Sequence, residues 1–346
     1  MTREPSALAF TPPAPTSRSL SRESGPPRWA LASAFGIVYL VWGSTFLGIR
    51  IAVETFPPLS MAAVRFLVAG SILLLATAGV RPRATAREWR NAAIVGAFFF
   101  LGDHGLVSMA APFIPSGLVS MILATQVPMI AVLASLLLRE RPLSGRSMAG
   151  AALGLAGVVV LFAGKSGGET HLLACAAVLG GAVCWSFGAV LSQKLRFPSD
   201  AILRAGMQMT CGGALLAVAS LLHGEPAQIA WATLSGRSLA ALAYLIAFGS
   251  VLTFACYAWL LKHVRAEAVA THVFINPLVA VALGAWLAGE QLGPTHLISG
   301  LLILASVVVI TFRRKQARLG RYDDRPRPAL QWRRRMEPPR RGLKQP

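Results

Sequence analysis

Acidic residues are scarce in this chain, with 14 Asp and Glu among 346 residues against 33 Lys and Arg. Charge of either sign makes up 14% of the sequence, where a soluble protein carries roughly 25%. There are only four cysteines, Cys175, Cys184, Cys211 and Cys256. They lie singly inside apolar runs without zinc spacing, so a zinc module or disulfide framework is excluded and they read as small helix-packing residues. The chain lacks a G-x-x-x-x-G-K-[ST] loop, which argues against ATP as an internal energy source. His104 has Ser108 four residues further on but no third partner, and no His, Cys and carboxylate cluster has metal spacing. An enzyme is therefore not expected, and neither a cofactor nor a metal is implied.

What is present is apolar. The chain is 55% hydrophobic, its mean hydropathy is +0.59, and its apolar stretches approach the roughly 20 residues that cross a bilayer core. The pattern predicts an all-α membrane protein with ten transmembrane helices at about 30–49, 59–80, 91–111, 116–138, 147–164, 172–193, 205–222, 238–261, 268–289 and 293–312. Short segments rich in Pro, Gly and Arg separate them and leave no room for a soluble module. Residues 1–28, rich in Pro, Ser and Arg, read as a disordered cytoplasmic tail. The first apolar stretch is longer than a signal-peptide core and no small-residue cleavage site follows it, so it reads as a retained anchor.

Lys and Arg fix the expected orientation. Assigning loops alternately, one side holds 29 of them and the other only Arg50, Lys165 and Arg237. With both tails set aside the count is still 12 against 3. This bias puts both termini in the cytoplasm. The 13 basic residues from Arg313 to Lys344 could in principle bind nucleic acid by counterion release. The positive-inside rule and contact with anionic lipid account for them without it, so the bilayer and a small-molecule substrate are the expected partners, with no nucleic acid.

The two halves resemble each other. Trp42 aligns with Trp185, Arg65 with Gln208 and Gly70 with Gly213 at an offset of 143. Pro128 aligns with Pro277 at 149, and Glu140 with Glu290, Gly150 with Gly300 and Phe162 with Phe312 at 150. A five-span unit ends on the side opposite its start, so its copy is inserted upside down. Two inverted five-helix repeats, over 29–164 and 171–312, follow, with 313–346 as a basic cytoplasmic tail. Such symmetry provides two related states open to opposite sides, as alternating access requires. A secondary transporter is the function this architecture implies; a membrane sensor or scaffold without transport is the alternative.

Several motifs carry a further likeness. Tyr39-Leu-Val-Trp42-Gly-Ser-Thr-Phe46, Ala63-Val-Arg65-Phe-Leu67, Ile114-Pro-Ser-Gly117, Glu140 and Phe274-Ile-Asn-Pro277 resemble the drug/metabolite transporter superfamily, and within it the bacterial ten-helix permeases with two EamA domains. The resemblance covers roughly residues 30–312. It implies export or uptake of a small metabolite, amino acid or drug-like compound across the inner membrane, export being the expected direction, through a central cavity ringed by the first four helices of each half. The fifth and tenth helices are then expected at the back. Where relatives commonly carry Asn this chain has Asp103, and it lacks the Glu or Gln often found near Ala111-Pro112.

Ionisable groups inside a bilayer mark function by default. Arg65 is about 9 Å from the outer end of the second helix and Asp103 about 12 Å from the outer face on the third. Equal depth on consecutive helices predicts a buried ion pair, which either staples the two helices or serves substrate and proton. His104 is expected on another face from Asp103, since sequence neighbours on a helix do not face each other; with protons as coupling ion it is a candidate relay. Pro128 and Pro277 are expected to break their helices at equivalent points, the usual pointer to a transporter site, with Gln126, His272 and Asn276 supplying polar groups beside them. Trp42, Trp185 and Tyr257 fall within helices, away from the interfacial belts. Trp42 and Trp185 are expected to pack on the opposite half, Glu140 and Glu290 to anchor loops, and Gly150 to Gly157 to allow close helix packing. The chain is expected to act as a monomer or homodimer.

Overall fold

The computed structural model describes residues 26–79, 83–138, 145–163, 168–264 and 266–311. The expectations for Glu140, Lys165 and both tails lie outside these residues. All regular structure among the described residues is helical. Eight helices are long and apolar enough to cross a membrane: α1 (Arg28–Ala52), α2 (Pro58–Ala76), α3 (Ala86–Ala110), α4 (Ser116–Leu138), α5 (Gly145–Ala163), α6 (His171–Ser192), α7 (Ala201–Leu222) and α8 (Gly236–His263). Two shorter apolar helices follow, α9 (His272–Ala288) and α10 (Pro294–Ile310).

Caps explain where the boundaries depart from hydropathy. α3 begins five residues before the predicted 91, because Thr85 and Glu88 form a capping box: Glu88 N donates to Thr85 Oγ1 (3.3 Å) and Thr85 N to Glu88 Oε2 (2.8 Å). Two orphan donors are satisfied at once, so the helix extends into charged sequence. α7 begins at Ala201 rather than 205, since Asp200 Oδ1 accepts from Ile202 N (2.9 Å) and Leu203 N (2.8 Å). Ser235 does the same for α8, accepting from Ser238 N at 3.0 Å. At the end of α9, Gly289 takes φ 62°, and Glu290 N turns back to Gly284 O at 3.0 Å. This left-handed C-cap favours glycine, and the Glu290 carboxylate lies back against Gly284 of the same helix.

Four helices are irregular, and they fall in matching places. α3 is a π-helix over Ala97–Gly105, and α8 is one over Leu245–Leu252. α4 is interrupted by a turn at Ala124-Thr125, just before Pro128. A short helix, Ala266–Val269, and a turn at Ala270-Thr271 precede α9, which carries Pro277 inside it. Against expectation α9 runs unbroken through Pro277, while the break expected at Pro128 lies on its N-terminal side. That is where the ring removes a hydrogen bond and crowds the preceding turn. The π segments were not expected; they often mark functional sites.

The helices pair reciprocally. α2 packs along α7; α1 packs on α9 and α8, while α6 packs on α4 and α3; α4 also meets α9. Small residues set the close approaches. A Cβ on Gly213 would stand 2.7 Å from Leu67 N, and one on Gly70 would stand 2.7 Å from Thr210 N, so α2 and α7 touch backbone to backbone. At Gly43 an added Cβ would meet Val279 Cβ at 2.6 Å, where α1 crosses α9. The expected Gly-rich packing of α5 is present: Gly150, Gly154 and Gly157 face Ile310, Ser306 and Ile303 of α10, and Ser299 Oγ donates to Gly157 O at 2.8 Å. Spacings of four and three residues put these glycines on one face, the small-xxx-small arrangement of helix pairs in lipid.

Candidate functional site

The π segment of α3 carries Asp103 and His104, and its shape decides how they meet. The wider turn reduces the angle between successive residues, so two neighbours can reach a common point. His104 Nδ1 lies 2.8 Å from Asp103 Oδ2, and Gln126 Nε2, at the interruption in α4, donates to Asp103 Oδ1 at 3.2 Å. The expectation that His104 points away from Asp103 is thus corrected. The Asp103 side chain is 1% exposed, and Gly181 of α6 lets that helix close over it, since a Cβ there would stand 3.1 Å from Oδ1. A carboxylate, an imidazole and an amide so arranged can hold a proton or release it to a polar solute.

Arg65 is not part of that ion pair. Among the described residues no carboxylate lies within 4 Å of it. Its Nε donates instead to Ser250 Oγ at 3.0 Å, on the π segment of α8, and its guanidinium carbon lies 4.7 Å from the centre of the Phe66 ring. Arg65 is 5% exposed. Equal depth alone does not fix the direction of a side chain: Arg65 turns towards α8, while Asp103 turns towards α4 and α6. Phe66 still joins the two groups, because its ring centre is 4.8 Å from that of His104.

Each repeat-equivalent tryptophan sits on the π segment of the other half. The Trp42 indole donates to Gly249 O at 3.1 Å and packs against Phe254, Tyr257 and His272, with ring centres 5.4, 5.2 and 5.0 Å away. Trp185 stacks on Phe99 at 4.2 Å and lies nearly parallel to His104 at 6.0 Å. The expected packing on opposite halves is what the rings do. His272 Nδ1 bonds Val269 O (2.9 Å). With its amide nitrogen towards the two carbonyls, Asn276 donates to His272 O (3.1 Å) and Tyr39 O (3.2 Å), tying α9 to α1.

The prolines stand apart from this cluster. Pro128 lines an apolar cavity of about 340 Å³ between α4, α5 and α6, with Met129, Val132, Leu155, Val158 and Phe187. Its lining is apolar apart from Thr125. Pro277 is buried in α9 and has no polar group to offer.

Two carboxylates bind helix starts at the end of the molecule that holds Arg50 and Arg237. Glu290 Oε1 accepts from Arg50 Nη1 (2.6 Å) and Ser116 N (3.0 Å), and Oε2 accepts from Ser116 Oγ (3.0 Å) and Gly117 N (3.3 Å). Glu225, after α7, accepts from Leu59 N (3.1 Å) and Ser60 N (2.6 Å) at the start of α2. Each lies in the second half of the chain and caps a helix of the first, where orphan N–H groups and the helix dipole favour negative charge. Glu290 anchors as expected, although to a helix N-terminus rather than to a loop.

The EamA-like transporter family matches residues 29–163 and again 172–312. The chain belongs to that family. Its two EamA domains begin and end close to the repeats seen in the sequence. Uncharacterized inner membrane transporter YedA of Escherichia coli K12 is 34% identical over 299 residues, covering 84% of this chain and 92% of YedA. Uncharacterized transporter YvbV of Bacillus subtilis is 25% identical, covering 84% and 94%. A probable amino-acid metabolite efflux pump of Escherichia coli K12 is 26% identical, covering 82% and 96%. A crystal structure with 21% identity superposes with a TM-score of 0.55 over 83% of this chain and 97% of that one, which shows the fold alone.

Within this EamA transporter the sequence reading missed Phe66, Phe99, Gly249, Ser250 and Phe254. A signal existed for two of them. Gly102-Asp103 and Gly249-Ser250 align at an offset of 147, between the 143 and 149 of the flanking motifs, so Ser250 is the counterpart of Asp103. The phenylalanines offer none, because aromatics in apolar helices are common.

Proposed function

We propose that this chain is a secondary transporter and not an enzyme, exporting a small metabolite, amino acid or drug-like compound across the bacterial inner membrane. In this reading it comprises ten transmembrane helices in two inverted five-helix repeats, 29–164 and 171–312, with both termini cytoplasmic. The double family match, the reciprocal helix pairing and the asymmetry of Lys and Arg support the architecture. The inner-membrane name of one relative and the efflux-pump name of another support the location and the direction.

The observation that carries the mechanism is the Asp103–His104–Gln126 cluster, buried where α3 and α4 meet α6. A carboxylate there is costly unless it does work. We read it as the proton-coupling group, with Arg65, Trp42, Trp185, Tyr257 and His272 forming the wall that meets substrate. Protonating Asp103 would remove the charge that holds Gln126 and His104, and α3 and α6 would then be free to separate. Glu225 and Glu290, each linking the two halves on the outer side, would release their helix starts when that side opens.

Purified protein in liposomes tests this directly. A metabolite screen should identify a solute whose movement responds to an imposed pH gradient. No movement of any solute, with the protein folded and oriented, would overturn the transporter reading. Reporter fusions after Lys165 and Arg237 should score periplasmic and those after Arg83 and Arg318 cytoplasmic; a periplasmic C-terminus would break the inverted repeat.

A further inference from the structure

Arg65 is a buried cation with donors to spare. Guanidinium carries five N–H groups, and one is used, from Nε to Ser250 Oγ. The other four have no acceptor among the described residues. Ser250 is fully buried, and its hydroxyl proton likewise meets no acceptor among them. Phe66 covers one side of the guanidinium at 4.7 Å. On another, Gly249 keeps the backbone close, since a Cβ there would stand 3.5 Å from Nη2. Gly249 O is already taken by the indole of Trp42 (3.1 Å). Neither terminal nitrogen is among the fully buried atoms left without a partner, so both reach accessible space, where a charge this deep in the chain can meet an acceptor that the chain does not supply.

The carboxylates nearby do not fill that role. Asp103 is held by His104 and Gln126, while Glu225 and Glu290 cap helix starts. We propose that Arg65, positioned by Ser250, receives the carboxylate of the transported solute, whose apolar remainder lies against Trp42. This rests on the reading of the cluster as a transport site and adds the substrate class to it. A planar guanidinium matches a carboxylate through two parallel bonds. One positive charge balances one negative charge, so a phosphate dianion would leave net charge in the interior and is disfavoured.

The test uses the full chain in lipid nanodiscs, with benzoate and hexanoate as probes, benzamide and hexanamide as uncharged matches, and inorganic phosphate as the other oxyanion. Thermal stabilisation is titrated for the native protein, Arg65→Gln, Arg65→Lys and Ser250→Ala. The carboxylates should bind the native protein at least tenfold more tightly than the amides. Arg65→Gln should abolish that preference, Arg65→Lys should weaken it about tenfold by removing the fork, and Ser250→Ala should weaken it several-fold. Amides binding as well as carboxylates, or phosphate binding as well as both acids, overturns the class. Arg65→Lys and Ser250→Ala keep the question open to decision if Arg65→Gln does not fold: unchanged affinity in both overturns the proposal. Transport of the solute found in the screen separates the two readings. Loss in Asp103→Asn with full activity in Arg65→Gln overturns the carboxylate inference and leaves the transport site standing. Full activity in both overturns the transport site and this inference with it.

Discussion

His104 Nδ1 lies 2.8 Å from Oδ2 of Asp103, its neighbour in sequence, and the contact exists because both sit in a π turn of α3. The pair therefore lies within one helix, with Gln126 as its only described hydrogen bond to α4, and in the proposed mechanism it is the unit that takes up the proton. Replacing Asp103 with Asn preserves shape and one acceptor but removes the titrating group. We expect Asp103→Asn to keep membrane abundance within about twofold, to lower transport by about 10²-fold, and to abolish its response to a pH gradient. Retention of a normal pH response in liposome flux assays would remove Asp103 from the coupling.

The distinct partners of Arg65 and Asp103 change what a double neutralisation should do. Were they a buried ion pair, Arg65→Gln with Asp103→Asn would relieve the roughly 3–5 kcal/mol that a stranded charge costs. Since Arg65 bonds Ser250 and Asp103 bonds His104 and Gln126, neither substitution strands the other residue. Abundance of the double variant should be no higher than that of the weaker single variant. A double variant more abundant than both singles, measured by quantitative blot of membranes, would restore the ion pair.

Much of this was legible in advance, and the limit is instructive. Hydropathy located the eight helices long and apolar enough to cross a bilayer, and the shorter apolar α9 and α10, because a bilayer demands long apolar stretches whatever the packing. The repeat offsets paired Trp42 with Trp185 and Gly70 with Gly213, and each of these residues packs on the other half of the chain. Side-chain direction was not legible. Depth can be counted along a helix, but whether Arg65 faces α3 or α8 depends on rotation about the axis. The π turns that set that rotation leave no mark in composition. The capping box at Thr85 and Glu88 was legible and overlooked, because charge was taken as the boundary signal.

The α2–α7 contact gives a stability prediction independent of function. Gly213 places its Cα against the backbone of α2, where an added methyl would stand 2.7 Å from Leu67 N and 3.1 Å from Phe66 C. Backbone cannot rotate away as a side chain can. Gly213→Ala should cost about 1–3 kcal/mol, visible as a lower unfolding temperature in detergent. Gly36→Ala, at a glycine with open space around it, should leave that temperature unchanged. Equal behaviour of the two would mean that α2 and α7 are less closely packed than described.

Glu290 offers the sharpest test of what holds the two halves together. Its two oxygens accept four donors, one from Arg50 and three from the start of α4, and its side chain is 3% exposed. Arg50, at 34% exposed, keeps access to solvent, so losing that partner alone costs little. The helix start is different: Ser116 N and Gly117 N have no other acceptor among the described residues, and a buried orphan donor costs about 1–3 kcal/mol. In Glu290→Gln the amide nitrogen would face those same donors, so the repair is at best partial. We expect Glu290→Gln to lower the unfolding temperature clearly more than Arg50→Gln does, and to loosen α4 from α9, seen as faster hydrogen exchange near Ser116. If the two variants are equally mild, the ion pair and the helix cap are both dispensable and the halves are held by packing alone. If Arg50→Gln is the more severe, the exposed ion pair rather than the capped helix is what fastens this side of the molecule.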